Sequence, residues 1–168
     1  MANTPKKRID EDYLRSMIFG IEDALVSTTG VVAGISTGSH DRSFIILAGV
    51  VTVAVEALSM GAGQYLSEKA VHEMDGKNEH NDNVLVTAMI MFVSYALAGA
   101  IPVMPFLFST SSNATYVSVA LALIGLYLLG YIKGKYLHIS AHKSALEMFA
   151  VGGIAAIVGL IVGKFLQV

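Results

Sequence analysis

Residues 84–108 read "VLVTAMIMFVSYALAGAIPVMPFLF" and contain no charged side chain. About 20 apolar residues are enough to cross the hydrocarbon core of a bilayer as a helix. In lipid every backbone polar group must be satisfied internally, so a continuous run of this length is helical. The short alternating segments of a transmembrane barrel are absent. Pro102 and Pro105 fall near the end of the run and are expected to kink or stop it.

Four more runs of the same kind flank it, at about 17–37, 44–66, 114–132 and 145–166. The sequence therefore specifies an all-α membrane protein with five transmembrane helices. Composition agrees. The 168 residues are 54% hydrophobic and 14% charged, with a mean hydropathy of +0.63, whereas a soluble domain is about a quarter charged. A net charge of −2 gives no reason to expect a nucleic-acid partner. The absence of cysteine removes disulfides, thiolate metal sites and cysteine nucleophiles together. Residues 1–16 are too polar and acidic for a signal peptide and are expected to form a polar cytoplasmic N-terminus. Residues 17–168 then form one transmembrane domain with a short acidic cytoplasmic loop at 67–83. Ser39, His40, Asp41 and Arg42 make a tight polar turn, so the first two helices are expected to pair as an antiparallel hairpin.

Lysine and arginine set the expected orientation. With the N-terminus inside, nine of the 11 cations lie on the cytoplasmic side and only Arg42 and Lys164 lie outside. The positive-inside rule thus predicts a cytoplasmic N-terminus and 67–83 loop, with the C-terminus outside.

Ionisable groups within a span are costly and are functional candidates by default. Glu22 and Asp23 lie in the first helix and, being adjacent, point about 100° apart. Asp23 shares a small polar face with Ser27, Gly30 and Gly34, suited to close helix contact or a water-lined path. Alternatively, both acids lie at the interface, where a carboxylate suits a helix N-terminus. In the second helix Glu56, Met60 and Gln64 follow one another at single-turn spacing. A carboxylate and a thioether together suit a borderline transition metal better than magnesium or calcium, although a lone Met in an apolar helix is usually filler. The 67–83 loop gathers Glu68, His72, Glu73, Glu79 and His80 as candidate metal ligands, or as an ordinary solvated helix end. His138 and His142 lie beside Lys135 and Lys143, which disfavour a metal, so they read as interfacial. Ser144 and Glu147 have the spacing of a capping box at the start of the fifth helix. Gly152, Gly153, Gly159 and Gly163 would let another helix approach closely.

The segments "EDALVSTTGVVAGIS" (22–36), "ALSMGAGQYLS" (57–67), "IPVMPF" (101–106) and "SALEMFAVGGIAA" (144–156) occur in the order seen in the vacuolar iron transporter family, which this chain resembles. The resemblance implies five transmembrane helices and a homodimer with a path between its subunits. It also implies movement of Fe2+, Mn2+ and related divalent ions out of the cytosol in exchange for protons, with no permanently bound cofactor and no enzymatic step. By position, the family's first-helix aspartate falls on Asp23 and its second-helix methionine on Met60. The family often has a glutamate where this chain has Thr52, and the acid here is Glu56, one turn later. The long glutamate-rich cytoplasmic domain of iron-transporting members is replaced by the short 67–83 loop.

The mechanism this implies is symmetric. Asp23 and Met60 from two protomers form a four-ligand site, and Glu56 binds the ion or carries the counter-transported proton. A non-transporting assembly or regulatory protein of the same fold and a passive cation channel are the alternatives. An intramembrane hydrolase lacks a deep His to activate a Ser or Thr. A prokaryotic plasma membrane is the expected location, with a vacuolar or other organelle membrane as the alternative.

Overall fold

The computed structural model describes residues 5–39, 41–75, 83–108 and 113–166, with side chains from residue 11 onward and Asp75 by its backbone alone. It contains five helices: α1 (Pro5–Gly38), α2 (Arg42–Asp75), α3 (Val84–Phe108), α4 (Asn113–Tyr136) and α5 (Ala141–Phe165). All five are long and apolar enough to cross a membrane.

Helix ends lie beyond the apolar runs because intrahelical hydrogen bonding does not stop where lipophilicity stops. α1 starts at Pro5, inside the polar N-terminal segment, where proline's missing N–H costs nothing at a first turn. α2 continues to Asp75, so most of the acidic 67–83 segment described is helix rather than loop. Asp41 caps the start of α2, its Oδ1 accepting the amides of Ser43 at 2.8 Å and Phe44 at 3.4 Å. Asn83 does the same for α3, accepting the Leu85 amide at 3.1 Å.

α3 runs through Pro102 and Pro105 to Phe108 instead of stopping at them. Neighbours serve the carbonyls at this end. The Ser118 hydroxyl donates to the Pro102 carbonyl at 2.6 Å. The Arg42 guanidinium donates to the carbonyls of Phe106 and Leu107, among the last of the helix and without intrahelical partners. Arg42, one of two cations expected outside, is therefore held as a helix cap.

The expected capping box of α5 is not formed. The helix begins at Ala141, preceded by Ser140, whose side chain makes no cap hydrogen bond. The preceding turn explains the shift. The Ile139 amide reaches back to the Gly134 carbonyl at 3.0 Å and the His138 amide to Lys135 at 3.3 Å, while His138 takes a left-handed φ of 54°. This closure of α4 lets α5 start a turn earlier. Ser144 is consequently buried inside the helix with its hydroxyl unpartnered, and Glu147 is exposed.

Contacts between helix ends fix an up-and-down bundle. Glu56 meets Ser27 and Glu68 meets Arg15, so α2 is antiparallel to α1. Ser118 meets Pro102, and Gly134 packs on Ala141, so α4 is antiparallel to both α3 and α5. α1 is the central element, packed most extensively on α5 and α3, while α2 packs chiefly on α3.

α1 and α5 run parallel along a seam of small residues. Gly30, Gly34 and Gly38 face Ala155, Gly159 and Gly163 in order. A Cβ on Gly34 would lie 2.9 Å from the Gly159 carbonyl oxygen, and one on Gly159 would overlap the Gly30 carbonyl. Lipid tails supply no hydrophobic drive between helices, so close backbone packing of this kind provides the association. The outward faces carry large apolar side chains such as Leu47, Leu58, Leu97 and Ile154, all exposed, as suits a surface in contact with lipid.

Candidate functional site: a polar seam between α1, α2 and α3

The side chain of Glu56 points into the protein. Its Oε2 accepts hydrogen bonds from Ser27 on α1, at 2.8 Å, and from the Tyr95 hydroxyl on α3. The Ser27 and Tyr95 oxygens are themselves 2.5 Å apart. Three helices thus converge three oxygens on one point. The flanking glycines allow it. Gly61 admits Phe92 and Ala88 of α3 on one side of Glu56, and Gly99 admits Val53 of α2 on the other. A methyl at either position would come within 3.0 Å of these neighbours.

This carboxylate lies well inside α2, away from both helix ends. Glu56 is 14 residues from Arg42 and 12 from Glu68, or roughly 21 Å and 18 Å along a helix. Tyr95 is fully buried beside it. A carboxylate turned into the protein requires donors, and two hydroxyls supply them.

Three turns from Glu56 lies a second polar cluster. Glu68, only 7% exposed, accepts from Arg15 at 2.8 Å and from the Gln64 amide at 2.9 Å, both on Oε1. Asp12 lies 3.6 Å from the same guanidinium. Twelve residues separate Ser27 from Arg15 on α1, and twelve separate Glu56 from Glu68 on α2. The two helices therefore keep one antiparallel register along this length. In that register Asp23 is level with Met60, between the two clusters. Both are half-buried, and Met60 packs against the central core of Leu25, Tyr95 and Leu126.

The structure brings some expected site residues together and separates others. Asp23, Ser27, Glu56 and Met60 fall on one seam. Gln64 lies on the same stripe of α2 but is bound to Glu68 rather than to Glu56. Glu22 is half-buried, next to Asp23 in the chain and on another face of α1. Among the described residues of the 67–83 segment, the candidate ligands Glu68, His72 and Glu73 do not converge as a metal site. Glu68 turns inward to Arg15, Glu73 pairs with Lys69 at 3.8 Å along the exposed surface, and His72 follows Glu68 one turn later. Glu79 and His80 lie outside the described residues. Among the described residues, no three His, Asp or Glu side chains converge as a metal site would require. Tyr95 was missed in the sequence, where it looks like one aromatic among many. The signal was a phenol hydroxyl in the middle of a charge-free span, which needs a partner when buried.

Fold and site together define a five-span helical membrane protein with a carboxylate-centred polar seam. The model of the VIT family matches residues 14–77 and 68–164, and the chain belongs to that family. A vacuolar iron transporter 1 of Oryza sativa subsp. japonica is 24% identical over 93% of this chain and 86% of its own length. The vacuolar iron transporter 1 of Arabidopsis thaliana is 23% identical over 98% and 90%. An uncharacterized protein of Methanocaldococcus jannaschii is 27% identical over 92% and 90%. The rice alignment runs over 217 residues against the 168 of this chain, so that relative carries internal residues that are lacking here. The two family-matched segments meet at 68–77, the end of α2.

Proposed function

We propose that the chain moves divalent transition-metal ions, Fe2+ and Mn2+ among them, out of the cytosol in exchange for protons, through a path formed between two copies. The observation that carries this is the seam itself. Glu56 stands well inside α2 in a lipid-grade bundle, with Asp23 and Met60 level with each other one turn away. Membership of a family with members named vacuolar iron transporters supports the choice of cargo.

The donor set of one chain is incomplete. It offers two carboxylates and one thioether along the seam, and no group of three His, Asp or Glu side chains among the described residues. A two-fold axis beside the seam would double Asp23 and Met60 into four ligands, and a closed symmetric dimer does this at no cost in sequence. In this reading the N-terminus and the Arg15–Glu68 end face the cytosol, and the C-terminus lies outside. The same placement suits a prokaryotic plasma membrane or an organelle membrane filled from the cytosol.

Glu56 has a distinct part. Its oxygen is held by Ser27 and Tyr95. An ion at Asp23 and Met60 would draw the carboxylate toward it, and a proton on Glu56 would release it. Proton and cation then compete for the same negative charge, which couples their movements without any chemical step.

The test is uptake into proteoliposomes, comparing Fe2+, Mn2+, Co2+, Ni2+ and Zn2+ with a pH-sensitive dye inside. Metal flux accompanied by opposite proton movement, lost in Asp23→Ala, is the expected result. Flux that neither needs nor moves protons would make the protein a passive channel. No flux of any of the five would leave a non-transporting member of the fold.

A further inference from the structure

The α4–α5 hairpin holds a group of side chains for which the transport seam has no use. Between Lys133 and Leu146 the sequence "KGKYLHISAHKSAL" contains three lysines, two histidines and no carboxylate. Glu147 on α5, one turn beyond Lys143, is the next acid along this element.

Backbone packing fixes how these groups sit. Gly134 and Gly130 admit α5 so closely that a Cβ on Gly134 would lie 2.5 Å from the Ala141 Cα, and one on Gly130 would lie 2.6 Å from the Ser144 carbonyl. His142 is thereby pressed against one face of α4. Its Nδ1 is 3.1 Å from the Tyr127 hydroxyl, and its ring meets Tyr131 edge-on at 5.3 Å. Lys135 completes the row, its ammonium 5.2 Å from the centre of the Tyr131 ring. In the tautomer in which the Tyr127 hydroxyl donates to Nδ1, the ring proton sits on Nε2. In that tautomer the row offers an N–H donor beside the ammonium of Lys135, with exposed Lys143 next to His142 in the chain.

We infer that this hairpin binds the phosphodiester headgroup of an anionic phospholipid. The anion is called for by three lysines with no acid between residues 133 and 146, and by His142 and Lys135 held against Tyr131. A lipid, rather than free phosphate, is called for by the position. Tyr127 and Tyr131 belong to a helix long and apolar enough to cross a membrane, and Leu128, Ile132 and Ile139, close to them and to His142 in the chain, are exposed apolar side chains available to acyl chains. Tyrosines at the water interface and basic pockets beside span ends are the usual elements of headgroup recognition.

The test is native mass spectrometry of the purified full chain in detergent, titrated separately with phosphatidylglycerol, phosphatidylcholine and inorganic phosphate. Phosphatidylglycerol adducts should dominate. Affinity should fall about fivefold for each of Lys135→Gln and Lys143→Gln, and fall also in His142→Gln. Lys164→Gln, at the opposite end of the bundle, should keep wild-type binding. Lys135→Arg and Lys143→Arg should retain it too, which separates loss of charge from loss of fold. Equal binding of phosphatidylcholine, adducts unchanged in the glutamine variants, or saturation by inorganic phosphate alone would each overturn the assignment.

Discussion

The Tyr95 hydroxyl donates to the Glu56 carboxylate in the interior of the bundle, joining α3 to α2 well away from the Arg42 contacts at the other end of the pair. Ser27 brings α1 to the same oxygen. Removing the phenol oxygen leaves the ring to fill its space, so Tyr95→Phe should fold. It removes one charge-assisted hydrogen bond, worth about 1.5–3 kcal/mol at a buried site. A lower melting temperature in detergent, together with altered flux, is the expected outcome. Unchanged stability and unchanged flux would show that Tyr95 only packs.

Glu56 stands one turn from Thr52, the position where the vacuolar iron transporter resemblance places an acid. Glu56→Gln preserves shape and one acceptor but can neither carry nor exchange a proton. It should abolish proton movement in the liposome assay while the protein still folds. If the two positions are interchangeable, Thr52→Glu combined with Glu56→Gln restores part of the flux. Full proton-coupled transport by Glu56→Gln alone would assign the coupling to Asp23 instead.

Much of this was legible in the sequence for a physical reason. The bilayer imposes one length and one composition on every span, so five helices could be counted from apolar runs, and α3 matches its run at both ends. The ends of α1, α2 and α5 were less legible because polar residues continue a helix into water without any change of composition to mark it. The stripe of Glu56, Met60 and Gln64 was visible as single-turn spacing, which places residues on a face without naming the partner. That Glu56 turns to Ser27 and Tyr95, while Gln64 turns to Glu68, depends on Gly61 and Gly99 setting the approach of α3. Glu68 was read as a loop ligand because its neighbours in sequence are charged. Its ion-pair partner, Arg15, is 53 residues away, and no local pattern announces it.

That pair gives a third prediction. Arg15 is largely exposed while Glu68 is buried, so the ion pair is screened on one side only. A discount for that exposure leaves about 1 kcal/mol for the pair. Arg15→Glu should destabilise by more than that, because it sets two carboxylates against each other beside Gln64. Glu68→Arg alone should do likewise. The double reversal should recover most of the loss in a thermal double-mutant cycle. Additive losses would show that the pair does not join α1 to α2.

The glycine seam between α1 and α5 makes the sharpest stability prediction, because the same chain contains its own control. A methyl on Gly159 would overlap the Gly30 carbonyl, and one on Gly163 would overlap the Gly34 carbonyl. The obstacle is backbone in both cases, and it cannot rotate away as a side chain would. Gly159→Ala must therefore push α5 off α1 and should cost about 1–3 kcal/mol, as overpacking does. Gly63 on α2 and Gly153 on α5 have nothing within 4 Å of the same added atom. There the only effect is on helix propensity, which favours alanine by up to about 1 kcal/mol. Gly63→Ala and Gly153→Ala should then be neutral or slightly stabilising in the thermal assay in which Gly159→Ala melts early. Equal behaviour of all three variants would mean that α1 and α5 are not held together by backbone contact. Because α1 carries Asp23 and Ser27, a displaced α5 would also loosen the helix that presents them to Met60 and Glu56. Gly159→Ala should accordingly lower metal flux even though it lies outside the polar seam.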